Sequence, residues 1–173
     1  MLLLWQFWVY SFAGFVLETV FAAVTRSPHQ NRRCFLMMPL CPVYGFGVLA
    51  VLSLPESLIN TFWGLAIWGG LAATAVEYVV HVVYEKLLGV RFWDYSDVFG
   101  NLKGRICLPF SAAWGFLLAV VLPPFHQWLV PLLGLIPPPV TWWMVVLFTA
   151  DALLTIWVLR ETGDPEAIRN KLT

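Results

Sequence analysis

Between Leu2 and Val24 the chain carries a single charge, Glu18. Lipid offers no hydrogen bonds, so every N–H and C=O in such a run has to be satisfied from within, as a helix does. At a rise of about 1.5 Å per residue the run is roughly 34 Å long, enough to cross a hydrocarbon core of about 30 Å. It is too long for a secretory signal and lacks the basic residues that precede one. The pattern recurs: Leu58 to about Leu88, Ile106 to Leu122 and Val140 to Leu159 predict further spanning helices, and Phe35 to Leu54 predicts one of a different kind. There Pro39 and Pro42 remove backbone donors, so Phe35 to Pro42 is expected to be bent or unwound at membrane depth against protein, with helix only from Val43 to Leu54. Pro55, Glu56 and Ser57 read as a turn. The stretch PPFHQWLVPLLGLIPPP, residues 123–139, is too rich in proline for a regular span. With His126 and Trp128 it reads as an apolar cap or half-helix at the far interface. The expected architecture is an all-α integral membrane bundle of about five transmembrane helices, the second broken or re-entrant. One domain is expected over residues 1–160, followed by a short tail over 161–173.

Composition supports this class, with 60% hydrophobic and 12% charged residues, against about 45–50% and about 25% in ordinary globular domains. A formal net charge of +0 and the lack of a basic patch set nucleic acid aside. The basic residues decide the orientation. Arg26, Arg32 and Arg33 follow the first helix, Lys86, Arg91, Lys103 and Arg105 join the third to the fourth, and Arg160, Arg169 and Lys171 follow the last. The opposite loops hold none, so by the positive-inside rule the N-terminus is expected outside and the three basic segments in the cytoplasm.

Charges inside the spans carry the chemistry. An ionised carboxylate in hydrocarbon costs at least about 2.5–3.5 kcal/mol, so Glu18, Glu77 and Asp151 are expected to face protein or water, or to hold a proton. Ala66, Gly70, Ala73, Glu77 and His81 recur at three- and four-residue steps and form a small-residue stripe leading to an acid. Glu85 continues the row, with Tyr78 and Tyr84 beside it. This row suits a proton path, half of a cation site, or a structural pair between Glu77 and an arginine of a basic loop. Ser11, Gly14, Glu18 and Ala22 share a face of the first helix, so Glu18 is also expected to look inward. For Asp151, near Thr149 and Thr155, a hydrogen bond between helices is favoured. An acid late in both the first and third helices is a weak internal echo.

Cys34, Cys41 and Cys107 are odd in number and lie by topology near the cytoplasm, where thiols stay reduced. With His29 they lack the tight spacing of a zinc site, so neither metal nor cofactor is expected. No phosphate-binding loop, nucleophile elbow or dinucleotide fingerprint occurs.

Several stretches together carry a family likeness: Asn31-Arg32-Arg33-Cys34-Phe35-Leu36; Pro39-Leu40-Cys41-Pro42-Val43-Tyr44-Gly45-Phe46-Gly47; Glu77-Tyr78; Phe92-Trp93-Asp94-Tyr95-Ser96; Asn101-Leu102-Lys103-Gly104-Arg105-Ile106-Cys107-Leu108; and Ser111-Ala112-Ala113-Trp114-Gly115. Over roughly residues 5 to 120 the chain resembles the putative ABC-transporter type IV family, small bacterial multi-pass membrane proteins often described as ABC transporter permeases. Arg33 and Met38 stand where that pattern would have glycine. The resemblance implies a transport role in a bacterial inner membrane. The expected partners are membrane lipids, an ATP-binding cassette subunit or another membrane protein, and a second copy of the chain.

Taken with the inward acids, the matched loops nominate Glu18, Asn31, Arg32, Tyr44, Glu77, Tyr78, His81, Glu85, Asp94, Tyr95, Ser96, Asn101, Arg105 and Ser111 for a polar pocket at the cytoplasmic side. Trp93 and Tyr95 are expected to anchor at the interface, and Gly100 and Gly104 to permit turns. Arg105, placed in the first turn of the fourth helix, is expected to pair with Asp94, Glu77 or Glu18, because a cation there opposes the helix dipole. The expected role is permease-like or that of an accessory transport subunit. The alternatives are a membrane enzyme acting on a lipid or other amphiphile, and a structural or regulatory membrane partner. In the enzyme, Glu18, Glu77 or Asp94 would be general base, with Arg32 and Arg105 holding an anionic group.

Overall fold

The computed structural model describes residues 1–26 and 33–169 of the chain. Helix α1, Leu2–Val24, runs through the first apolar stretch and ends at Thr25. Helix α2, Pro42–Leu52, starts on a proline in its first turn, where the missing N–H would have had no partner. The segment before it, from residue 33 to 41, is not helical, as Pro39 and Pro42 predict.

That segment wedges between helices, and three of its backbone N–H groups are satisfied by side chains. The Leu36 N–H donates to Thr155 Oγ1 at 2.9 Å, and the Met37 and Met38 N–H groups donate to the two oxygens of Asp151 at 3.0 and 2.7 Å. The Cys41 N–H donates to the Ser11 carbonyl at 3.0 Å. Phe35 and Leu40 pack with Phe7 and Trp8 of α1 and with Met144 and Phe148 of the last long helix. Asp151 is thus spent on the unwound backbone rather than on another helix.

After the single turn α3, Glu56–Ile59, helix α4 spans Phe62–Leu88. It is α-helical over Phe62–Gly64 and Gly70–Val83, with π-helical turns at Leu65–Gly69 and Tyr84–Leu88. Gly89, at φ 71°, ends it. The short antiparallel pair β1, Asn101–Leu102, and β2, Ile106–Cys107, leads into α5, Leu108–Leu133.

Helix α5 corrects two expectations. It starts after Arg105, which therefore lies in the hairpin and not in the helix's first turn. It also continues through Pro123, Pro124 and Pro131, where a cap or half-helix was expected. Adjacent prolines remove neighbouring bonds of one turn, and where water does not compete the rest of the ladder holds. Helix α6, Pro138–Thr162, begins on two prolines and ends at Gly163 in the left-handed conformation. The final turn α7, Glu166–Arg169, folds back on the bundle with Ile168 fully buried.

The described residues are 74% helical. Four helices, α1, α4, α5 and α6, are long and apolar enough to cross a membrane, and the shorter apolar α2 completes the expected broken span. Small residues bring α4 and α5 together: a Cβ built on Gly70 would lie 2.9 Å from the Gly115 Cα. The basic segments meet at one end. Val90, Phe92, Val158, Leu159 and Ile168 form a cluster there with Cys34 and Leu36, and Arg160 Nε donates to the Leu87 carbonyl at 3.1 Å.

Candidate functional site

The loop from Gly89 to Cys107 is a folded unit built by its own polar groups. Asp94 Oδ1 accepts from the Ser96 N–H at 2.9 Å and the Ser96 hydroxyl at 2.5 Å. Those two bonds hold the Asp94 carboxyl below its ordinary range. Asn101 donates to the Ser96 and Val98 carbonyls at 3.0 and 2.9 Å and accepts from the Gly104 N–H at 3.1 Å. Lys103 and Gly104 both take positive φ, 56° and 69°, as the tight turn of a hairpin demands. A Cβ at Gly104 would stand 2.5 Å from both Asp94 Oδ1 and Ser96 Oγ, so glycine is required there for space as well as for conformation.

The polar row of α4 grips this loop. His81, almost fully buried, meets the Trp93 carbonyl through Nε2 at 3.1 Å. Arg105 donates to Glu85 Oε2 through Nε at 3.2 Å and Nη2 at 2.7 Å, and to the Tyr78 hydroxyl through Nη1 at 2.9 Å. Arg91 pairs with the other Glu85 oxygen. The acid facing Arg105 is therefore Glu85, not Asp94, Glu77 or Glu18. The hairpin carries Arg105 back over the last turn of α4, which Glu85 occupies. Glu85 holds the guanidinium in its charged form. Because three of its nitrogens are engaged, Arg105→Lys is expected to lower the melting temperature in detergent more than Lys103→Arg does, and equal shifts would count against this network.

Above the loop lies a cavity of about 840 Å³ between α1, α2, α4 and α5, bounded at the loop end by Trp93, Asp94 and Tyr95 and at the far end by Tyr10 and Phe125. Its wall is mostly aliphatic and aromatic, and besides Asp94 at the loop end two acids of the helices border it. Glu18 accepts from the Tyr44 hydroxyl at 2.5 Å, and Glu77 accepts from the Tyr95 hydroxyl at 3.0 Å. Burial, followed by the Glu77 carboxylate, pushes the Tyr95 phenol well above its ordinary value, so it stays a donor. Gly14 makes room for the Tyr44 ring, against which any Cβ would collide.

A family model described as putative ABC-transporter type IV matches residues 5–157 of the 173. The chain belongs to that family. The matched range reaches past the motif-bearing loops and takes in α6 as far as Trp157, including Asp151. No curated protein and no solved structure matches the chain. The family description ties it to ABC transporters, and its long apolar helices are those of a membrane protein.

The type IV motifs divide between two jobs. Of the nominated residues, Glu18, Tyr44, Glu77, Asp94 and Tyr95 line the cavity. Tyr78, His81, Glu85, Ser96, Asn101 and Arg105 hold the loop instead. Ser111 donates to the Cys107 carbonyl at 3.0 Å, across the start of α5. Asn31 and Arg32, with His29, lie outside the described residues.

The structure also adds residues. Trp93 and Tyr95, expected at the membrane interface, turn inward: the Trp93 indole donates to the Arg105 carbonyl at 2.9 Å, and Tyr95 stacks on Phe110 at 5.0 Å. Trp114 meets Tyr44 edge-on at 5.2 Å. Cys34 and Cys41 border the cavity with their sulfurs 3.7 Å apart. Among the described residues no three His, Cys, Asp or Glu side chains gather as a metal site. A run of aromatics in a membrane helix looks alike whether it faces lipid or a cavity, so only glycines opposite them, such as Gly14, could have hinted at the space.

Proposed function

We propose that the chain is a permease-like or accessory subunit of a membrane transport system and that the cavity between α1, α2, α4 and α5 holds its substrate. The observation that carries this is a space of about 840 Å³ with a mostly apolar wall and two acids of the membrane helices on it, Glu18 and Glu77. That volume lies within the usual range for small-molecule sites, about 300–1,000 Å³. Intramembrane acids facing a cavity are typical of substrate and ion pathways. The enzyme alternative has less support. Arg105, which would have held an anionic substrate, is committed to Glu85 and Tyr78, and Asp94 is committed to Ser96. Residues 1–160 are taken as one transmembrane domain in a bacterial inner membrane. Four long helices and the shorter α2 leave little room for a self-sufficient path, which calls for an ATP-binding cassette subunit or a second copy of the chain.

Purified from native membranes in mild detergent, the tagged chain is expected to bring an ATP-binding cassette subunit in fixed ratio, and Glu77→Gln is expected to lower the ATPase rate of that complex. A chain that purifies alone and converts a phospholipid without a partner would point to the enzyme instead. The loop end is taken as cytoplasmic because the basic segments meet there. Of the three thiols only Cys34 is partly exposed. An impermeant maleimide should leave it untouched in intact cells and label it once they are permeabilised, and labelling in intact cells would invert the orientation.

A further inference from the structure

Glu77 is 6% exposed, and only one of its carboxylate oxygens is occupied. Tyr95 donates to Oε1, while Oε2 has no hydrogen-bond partner among the described residues although the side chain lines the cavity. A buried acceptor left open is rare and calls for a specific explanation. Among the described residues, nearby cations do not supply one. Arg105 and Arg91 are engaged with Glu85 on the far side of the loop, and Arg169, on the cavity wall, sits 2.6 Å from Glu166 and faces the Phe92 ring.

The second acid, Glu18, enters the same space, and among the described residues its hydrogen-bond partner is the Tyr44 hydroxyl. Trp93, Trp114 and Phe110 stand around the two acids, and ring faces attract positive charge. Beyond them the wall is aliphatic as far as Leu122 and Phe125. We infer that the cavity takes an amphiphile with a single protonated amine as its head, the ammonium donating to Glu77 Oε2 and the apolar body filling the space toward Phe125. This identifies the substrate class and rests on the cavity being the substrate site.

The test uses two probes with the same tail and opposite charge, decylammonium and decanoate. Each is titrated calorimetrically at pH 8 into the full chain in a neutral maltoside detergent. Saturable binding of decylammonium at one per chain is expected, with decanoate neither binding nor competing. Glu77→Gln, accepted only if it melts and elutes like the parent, is expected to weaken decylammonium at least tenfold. Glu56→Gln, at the opposite end of the bundle, is expected to leave binding unchanged. The comparison of the two probes on the unaltered chain stands even if the variant does not fold. Decanoate binding as well as decylammonium, or full affinity in a folded Glu77→Gln, would overturn the amine head while leaving the cavity as a binding site. Saturable binding of neither probe would remove the amphiphile site and, with it, the substrate role given to the cavity.

Discussion

Asp151→Ala is expected to destabilise the protein by about 3 kcal/mol, the low end for losing two bonds to a charged acceptor at about 1.5–3 each. The low end applies because the Met37 and Met38 N–H groups are only part-buried. Asp151 itself is 2% exposed in the middle of α6, and no other described group reaches those two donors. Without it the segment before α2 has no reason to stay wedged between α1 and α6, and Phe35 and Leu40 lose the position that packs them on Phe148. Asp151→Asn keeps one acceptor oxygen and should fall about halfway. Thr155→Val should strand only the Leu36 N–H. Denaturant titrations in a single detergent, read by tryptophan fluorescence, would rank the three, and an Asp151→Ala curve that overlays the parent would sink this account of the broken span.

The second large effect is at the crossing of α4 and α5. Glycine to alanine inside a helix ordinarily stabilises by about 0.5–1 kcal/mol, because glycine has more freedom to lose on folding. At Gly115 the added methyl would run into the Ala66 carbonyl in the first π turn of α4, and backbone cannot step aside as a side-chain tip can. Overpacking of this kind costs about 1–3 kcal/mol, so the net sign is expected to be destabilising. Gly47 is the matched control, since a Cβ there would meet only the Ala73 methyl at 3.9 Å. Gly47→Ala should be neutral or mildly stabilising, and melting the two variants side by side decides the matter. If both rise together, the helices are not as close as described.

Much of this was legible in the residues. The spans follow from charge-free length, and Pro39 and Pro42 located the unwound segment before α2. Three- and four-residue spacing placed Glu18 and Glu77 on inward faces. What could not be read is where a loop returns. Arg105 finds Glu85 because a two-strand hairpin folds back over the end of α4, a distance that spacing does not encode. The row itself holds past Val83, since Glu85 in the π turn over Tyr84–Leu88 still lies 4.0 Å from His81. The tyrosine partners of the two acids were missed as partners for the same reason: Tyr44 and Tyr95 reach them across the bundle from other elements. Proline counting failed in α5, because a membrane helix tolerates missing donors where a helix competing with water would break.

The most direct test of the substrate site is an experimental structure of the chain in native lipid, resolved well enough to see what occupies the space between α1, α2, α4 and α5. Elongated density is expected there, with its head within hydrogen-bond reach of Glu77 Oε2 and its tail toward Phe125. A space closed by its own side chains, with both Glu77 oxygens bonded to protein or the carboxylate turned toward lipid, would contradict it.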